Sequence, residues 1–288
     1  MRAAVLMLCA VIGDGLGLAP DRGGAADPAA PRHAPVAGAA HGGAPAPPAA
    51  EAESATYERC MALAKKDPAG ARKLAEIWHA RGGAHPADHC AAVALIGLKQ
   101  YQAAALRLEK LGRAMVHAPA ALRAEVLGQA AQAWLLAGDP VRAYVADGVA
   151  LTLSPDDPDL LVDRAAAAGT ARQFDKAIAD LDRVLQANPT RVDALIYRAS
   201  ANCEEGRLDA AAADIDKALT LAPDSVPGLL ERGNVRRLQG DLAGAREDWA
   251  RVATLAPGSP AETAAKRNIE RLAAVEPAAP PAQTAPRP

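Results

Sequence analysis

The chain repeats one short stretch four times: LTLSP (151–155), LQANP (185–189), LTLAP (219–223) and ATLAP (253–257). The four prolines that close these stretches lie 34 residues apart. A fixed period of this length is typical of a repeat array, in which each unit packs against its neighbours. Counting back from the prolines divides the chain into units 124–157, 158–191, 192–225 and 226–259. Each proline ends the second helix of its unit, because proline disrupts the interior of a helix.

Small residues recur at two positions of this 34-residue register. They are Ala131, Ala165, Ala199 and Gly233 at the eighth position, and Ala143, Ala177, Ala211 and Ala245 at the twentieth. We expect both positions to lie where the two antiparallel helices of a unit cross, because a larger side chain would push the helices apart. The turn between the helices carries Gly138, Gly206 or Gly240 in three units, and unit 158–191 has Arg172-Gln173 there instead.

Composition narrows both the fold class and the function. Half of the 288 residues are hydrophobic but only 3% are aromatic, and the apolar residues are mostly Ala and Leu, which favours an all-α protein. The net charge of −2 disfavours nucleic-acid binding. The sequence contains no Gly-Lys-Ser/Thr loop, no Gly-x-Ser-x-Gly turn and no His-Glu-x-x-His helix. We therefore predict a protein without catalytic activity or cofactor.

The two ends of the chain differ from its body. Met1-Arg2 and the apolar residues 3–12 are typical of a signal peptide, which we place at 1–19. An Ala/Pro/Gly-rich linker at 20–53 and a tail at 276–288 are predicted to be disordered. No other stretch is apolar enough to span a membrane. These features predict export, most simply to a bacterial periplasm; the alternative is a cytoplasmic protein that keeps its N-terminus.

The segments that flank the regular units are also predicted to be helical. Residues 54–84 form a helical hairpin that starts with Ser54 as N-cap, and residues 85–118 form a degenerate unit that keeps Ala92 and Ala104. Residues 260–275 form a helix that covers the last unit, since every unit needs a neighbour to bury its apolar face.

Taken together, these units resemble the tetratricopeptide repeat family over residues 85–259. The resemblance implies an all-α, right-handed superhelical solenoid of antiparallel hairpins, with a concave groove lined by the first helix of each unit. It also implies a non-enzymatic scaffold that binds a protein or peptide. Carried over from the family's second, fifth, ninth and twelfth positions, the groove residues are Glu125, Gly128, Gln132 and Leu135; Asp159, Val162, Ala166 and Gly169; Asp193, Ile196, Ser200 and Cys203; and Pro227, Leu230, Asn234 and Arg237.

This predicted groove is acidic at one rim, apolar along its middle and more polar in the last unit. The rim carries Glu125, Asp159 and Asp193, and the middle carries Val162, Ile196 and Leu230. An extended or helical peptide with apolar side chains and some basic character would fit such a face. Two alternatives stay open: the protein is a structural spacer without a groove ligand, or another part of the chain fills the groove.

Two further predictions concern the irregular N-terminal end. Cys60 and Cys90 lie on the first helices of adjacent hairpins, so a disulfide is feasible in an oxidising compartment. Alternatively, a metal-dependent or catalytic protein would use the cluster His85, Asp88, His89 and Cys90, in which His85 and His89 are one helical turn apart. The plainer interpretation of this cluster is the N-terminal turn of a helix.

Charged residues also keep the 34-residue period. They are Arg164, Arg198 and Arg232 at the seventh position, and Asp180, Asp214 and Asp248 at the twenty-third. We predict ion pairs between the two helices of a unit, at the rim of the hairpin, with a structural rather than a ligand-binding role.

Overall fold

The computed structural model describes residues 48–275, which form thirteen α-helices and one π-helical turn. The predicted signal peptide, most of the linker and the tail lie outside these residues. The helices are α1 (Pro48–Lys66), α2 (Pro68–Trp78), α3 (Ala84–Gly97), α4 (Tyr101–Ala114), α5 (Ala120–Leu136), α6 (Pro140–Leu153), α7 (Pro158–Thr170), α8 (Phe174–Ala187), α9 (Val192–Glu204), α10 (Leu208–Leu221), α11 (Val226–Gln239), α12 (Leu242–Leu255) and α13 (Pro260–Val275).

The helices stack as antiparallel hairpins in chain order. In each regular unit the two helices pack together, as in α5 with α6 and α7 with α8, and the second helix packs against the first helix of the next unit. The first helices also contact one another along the stack, from α5 to α7, α9, α11 and α13. This arrangement confirms the solenoid that the period predicts.

The prolines lie in the links between units. Each second helix ends two residues before its proline, as α6 does at Leu153 before Pro155, and the next helix begins three residues after it, at Pro158. The 34-residue period of the sequence is therefore the period of the structure.

The small residues lie at the helix crossings, as predicted. All four alanines of the twentieth position are fully buried. At the eighth position Gly233 replaces alanine for a visible reason: a Cβ atom there would lie 2.7 Å from Cδ1 of Trp249, which fills the crossing of its own unit. Three other units have Asp147, Leu181 and Ile215 in place of Trp249 and can accept alanine opposite.

From unit 85–118 onward, the turn within each unit places the fifteenth residue in the left-handed region. Gly138, Gly206 and Gly240 adopt φ of 78°, 72° and 87°. The units without glycine use the same geometry, because Lys99 and Arg172 both have φ of 58°. A side chain is strained in this region, so these two units form the turn at a conformational cost.

The N-terminal hairpin differs from the sequence-based prediction. Helix α1 begins at Pro48 rather than at Ser54, which lies inside the helix and so is not its N-cap. Helix α2 continues into the π-helical turn His79–Gly83, where Gly82 has φ of 96° before α3 begins at Ala84. Across residues 48–275, no helix combines the length and apolar character that crossing a bilayer requires.

Candidate functional site

The candidate site is the face formed by the first helices α5, α7, α9 and α11. Because these helices contact one another in sequence, side chains at equivalent register positions form rows along the stack. The predicted groove residues lie on this face, but they differ in exposure and in the partners that hold them.

The apolar middle of the predicted groove belongs to the core. Val162, Ile196 and Leu230 are 3%, 6% and 0% exposed and are part of the main hydrophobic cluster. They therefore present little surface on which a ligand could dock in this structure. Charge substitutions at these positions would disturb packing, so they are poor probes of binding.

The acidic rim is bridged by an arginine that sequence reasoning missed. Nη2 of Arg191 donates to Oδ1 of Asp159 at 2.7 Å, and its Nε donates to Oδ1 of Asp193 at 2.8 Å. Burial alone would lower the pKa of Arg191, but the hydrogen bonds with Asp193 and Asp159 outweigh it and raise the pKa. Arg191 is the last residue of its unit, outside the four groove positions considered from sequence. Arg191 thus links Asp159 on α7 to Asp193 on α9 through two charged hydrogen bonds.

The polar groove residues also make contacts within the chain. Gln132 on α5 donates to Asp163 on α7 at 2.9 Å, which ties two first helices together. Asn234 donates to Glu231 and accepts from Asn268 on α13, both at 3.3 Å. Ser200 is fully buried. These side chains hold the stack in register.

Two arginines lie near each other at the C-terminal end of the stack, Arg237 on α11 and Arg271 on α13. Burial and the nearby positive charge of Arg271 lower the pKa of Arg237, and its Nη2 atom is buried without a hydrogen-bond partner. Asn234 and Arg237 on α11 recur 34 residues later as Asn268 and Arg271 on α13. This end of the first-helix face thus carries two arginines close together, whereas the α5–α9 part carries acids.

The periodic arginines and aspartates form ion pairs within units 158–191, 192–225 and 226–259, as predicted. Each arginine of the seventh position binds the aspartate of the twenty-third through two hydrogen bonds of 2.6–2.9 Å. The aspartates are only 3–7% exposed, so the pairs lie deeper than the predicted hairpin rim. The hydrogen bond with Asp214 outweighs the effect of burial and raises the pKa of Arg198. Arg198 also reaches Asp182 of the preceding unit at 2.7 Å.

Unit 124–157 lacks this pair and buries an isolated acid instead. It has Ala130 and Ala146 at the two positions, and Asp147 follows at a position that is apolar in the other units. Asp147 is fully buried, and neither of its carboxylate oxygens has a hydrogen-bond partner. Burial raises the pKa of Asp147 well above its ordinary value, and the neighbouring Asp163 raises it further. Burial thus favours the neutral form of this carboxyl group.

The two N-terminal hairpins are joined by a disulfide between Cys60 on α1 and Cys90 on α3, whose Cα atoms are 6.1 Å apart. Both cysteines are fully buried together with Ala75 and Ala91. The bond therefore crosslinks the two least regular units of the stack.

Beside the disulfide, His89 connects the N-terminal hairpins to the regular units. Nδ1 of His89 lies 2.8 Å from Oη of Tyr57, and its Nε2 lies 2.7 Å from Oε1 of Gln129 on α5. Burial lowers the pKa of His89, although Gln129 and Glu125 act in the opposite direction. Burial and Glu125 raise the pKa of Tyr57 to about 12. Glu125, predicted as a groove residue, thus lies near enough to Tyr57 and His89 to affect their pKa values.

The side chains of the proposed metal cluster have separate partners. Cys90 is in the disulfide, Asp88 accepts from Arg107 at 2.8 Å, and His89 contacts Tyr57 and Gln129. His85 is exposed at the surface. Across residues 48–275 no group of three or more His, Cys, Asp or Glu side chains is arranged to hold a metal ion.

Comparison with known proteins agrees with this architecture. No family model matches the chain, and no curated protein matches it significantly. Among solved structures, TTC0263, a thermophilic TPR protein from Thermus thermophilus, matches with a TM-score of 0.53 and 19% identity over 67% of this chain and 100% of that chain. The APC/C hetero-tetramer Cut9–Hcn1 matches with a TM-score of 0.58 and 12% identity over 76% of this chain and 42% of that chain. MamA from Desulfovibrio magneticus RS-1 matches with a TM-score of 0.47 and 20% identity over 66% of this chain and 95% of that chain.

The chain is thus an all-α repeat protein built from antiparallel helical hairpins. Its repeats have the tetratricopeptide repeat fold. Helix α13 packs against α12 and α11 of the last unit, as predicted.

Proposed function

We propose that the chain is a non-enzymatic scaffold that binds a segment of another protein on the face of its first helices. The observation that carries this proposal is the charge pattern of that face. Acids on α5, α7 and α9 are followed by the basic pair Arg237 and Arg271 on α11 and α13. A stack of equivalent helices that changes sign along its length favours one orientation of an extended ligand.

The ligand that fits is a peptide with basic side chains towards α5–α9 and an acidic group towards α11–α13. Asp159 and Asp193 keep 46% and 41% of their side chains exposed while they contact Arg191. A basic ligand would add a second cation to this bridge. Because the apolar middle is buried, recognition would depend on charge and hydrogen bonding more than on apolar contact.

Paired charge reversals test this role. The double variant Asp159→Lys and Asp193→Lys reverses the rim, and the control Asp175→Lys and Asp209→Lys makes the same change on the exposed outer face of the same two units. Proteins retained on the immobilised chain from a native extract are identified by mass spectrometry. Loss of partners from the rim variant but not from the control supports the proposal, provided that thermal unfolding shows both variants folded.

Equal retention by both variants would count against a groove ligand. If the wild-type chain retains no protein above background, the structural spacer is the better interpretation.

We further propose that the protein acts after export, in an oxidising compartment such as a bacterial periplasm. The Cys60–Cys90 disulfide supports this proposal, because such bonds persist mainly outside the cytoplasm. The apolar residues 3–12 behind Met1-Arg2 support it independently. Mass spectrometry of the protein from its native cells would decide: a chain that starts at Met1 with reduced Cys60 and Cys90 contradicts export.

A further inference from the structure

Helix α13 repeats part of the sequence of α11 at the 34-residue spacing of the units. The stretch NVRR (234–237) on α11 corresponds to NIER (268–271) on α13, so that both helices carry Asn at the ninth position and Arg at the twelfth. The first helices of the other regular units carry neither residue there; they have Gln132 and Leu135, Ala166 and Gly169, and Ser200 and Cys203. A helix that only covers the last unit does not require this repetition.

The repeated residues connect the two helices. Helix α11 packs against α13, and Nδ2 of Asn268 donates to Oδ1 of Asn234 at 3.3 Å. Arg237 and Arg271 each follow their asparagine by three residues, which places them about one helical turn further along the same face. The hydrogen bond between the asparagines thus fixes the register in which the two guanidinium groups lie near each other.

These two arginines lack the acidic partners that other arginines of the last unit have. Arg232 and Arg236, on the same helix as Arg237, both form ion pairs with Asp248. Within residues 48–275, neither Arg237 nor Arg271 forms an ion pair, and the buried Nη2 of Arg237 has no hydrogen-bond partner. The neighbouring charge that lowers the pKa of Arg237 is another cation, Arg271. An anion bound between the two would offset this repulsion and give the guanidinium groups an acceptor.

We propose that Arg237 and Arg271 together bind one carboxylate of the partner protein, so that α13 forms part of the ligand-binding face. This inference rests on the proposed function, because it assigns the acidic group of that ligand to two particular side chains. A planar guanidinium can donate two parallel hydrogen bonds to a carboxylate, which makes arginine well suited to this role. An unmodified protein segment supplies its negative charge as carboxylates, and we therefore assign the site to a carboxylate rather than to a phosphate.

The exposure of the two arginines suits such a site. Arg271 is exposed, whereas Arg237 is half-buried. The exposed guanidinium can meet an acidic side chain that arrives from solvent. The half-buried one contributes a charge that water and salt screen less, which strengthens its attraction to the carboxylate.

Nuclear magnetic resonance of the arginine Nε–H groups tests the site directly. The isotope-labelled chain is titrated at pH 7 with sodium acetate as the carboxylate probe, and with sodium chloride at the same ionic strength. We expect acetate, but not chloride, to shift the signals of Arg237 and Arg271 with one shared dissociation constant. The signal of Arg267, which is exposed on the same helix as Arg271, should respond equally to both salts. In Arg237→Gln the shift at Arg271 should require at least about tenfold more acetate, because charged hydrogen bonds are lost.

Retention of proteins from a native extract then tests whether partners use this site. The double variant Arg237→Gln and Arg271→Gln removes both charges, and the control Arg81→Gln and Arg267→Gln removes two exposed arginines outside the pair. The first variant should retain at least about tenfold less of the partners, and the control should retain as much as the wild type. The melting temperature of the first variant should not fall, since neither arginine loses an ion pair within residues 48–275.

The proposal is overturned if acetate and chloride shift the two arginines equally, or if the double variant retains the same proteins as the wild type. A large fall in its melting temperature would also overturn the proposal, because it would assign the pair a structural role. Partners that are lost after phosphatase treatment of the extract would show that the bound anion is a phosphate. Failure of the proposed function gives a different result: the wild type then retains no protein, while the acetate titration still decides whether the pair binds a carboxylate.

Discussion

Gly233 and Trp249 occupy the same helix crossing: the indole ring of Trp249 fills the space that a Cβ atom on Gly233 would need, and its Nε1 donates to the backbone oxygen of Leu230 at 3.2 Å. The eighth position of unit 226–259 is therefore glycine because of the residue at the twenty-fourth. A departure from the repeat pattern at one position is matched by a departure at the other.

This relationship predicts a strong coupling between the two sites. Gly233→Ala should lower the free energy of unfolding by about 1–3 kcal/mol, because it overpacks the crossing. In a Trp249→Leu background the same change should be neutral or stabilising by up to about 1 kcal/mol, because leucine leaves room and alanine favours the helix. Denaturant unfolding of the four chains measures the coupling, and additive effects would show that the residues do not compete for space.

Asp147 predicts an unusual pH dependence. Its folded-state pKa lies above the unfolded value of about 3.9 for an aspartate, so the folded chain holds more protons than the unfolded chain above that pH. The contribution of Asp147 to the free energy of unfolding should therefore fall as the pH rises from about 3.9 to the folded-state pKa of Asp147. Asp147→Asn should remove that slope while keeping the shape of the side chain.

The same site offers a stabilising change. Asp147→Leu restores the apolar residue that unit 158–191 has in Leu181, and should raise the melting temperature at pH 7 by removing a buried polar group without a partner. Thermal unfolding at pH 4 and pH 7 checks both variants. A wild-type chain whose slope with pH matches that of Asp147→Asn would show that Asp147 is ionised in the folded state.

Arg198 forms ion pairs with two aspartates that differ in exposure, so it allows a buried and an exposed ion pair to be compared. The side chain of Asp214 is 11% exposed and that of Asp182 is 56% exposed, and both contact Arg198 at 2.7 Å. Asp214→Ala should cost about 3–5 kcal/mol, because it leaves a partly buried guanidinium without its principal partner. Asp182→Ala should cost no more than about 1 kcal/mol, because water replaces the exposed partner. Chemical denaturation of the two variants measures both losses. Equal losses of unfolding free energy would contradict the explanation that the buried aspartate contributes more than the exposed one.

Adding and removing glycine at the left-handed turn position should change the stability of the chain in opposite directions. Lys99→Gly should stabilise the chain by about 1 kcal/mol, because glycine adopts a φ of 58° without strain. Gly206→Ala, at the same register position with φ of 72°, should destabilise it by a similar amount. Melting temperatures that move in the same direction for both variants would contradict this explanation of the turn.

The disulfide predicts a local loss of stability. Cys60→Ser with Cys90→Ser should remove about 2–4 kcal/mol, since the crosslink closes a segment of 30 residues. Hydrogen exchange should increase in α1–α3 and stay unchanged in α10–α12, because units of a repeat array depend mainly on their neighbours. A uniform increase along the chain would show that the array unfolds as one unit.

Some features could be predicted from sequence because the repeat compares the chain with itself. Pro155 and its equivalents set the period, the alanines of the twentieth position identified the crossings, and the pairing of Arg164 with Asp180 followed from their shared spacing. The groove was less predictable. The family positions identify which residues lie on the first helices, but they do not show that Val162 and Ile196 are buried or that Arg191 bridges Asp159 and Asp193. Those depend on how neighbouring units approach each other.

By itself, the sequence determined the all-α repeat fold, the 34-residue period of its units and the ion pairs within the last three of them, because a periodic chain repeats its local interactions wherever the residues repeat. Only the tertiary structure decided what happens where the period breaks. It placed Asp147 without a partner in the core, strained Lys99 and Arg172 into turns that glycine forms elsewhere, set Trp249 against Gly233, and left the valines of α6 exposed. The physical reason is that burial and exposure depend on packing between units, which the spacing of residues along one unit does not contain.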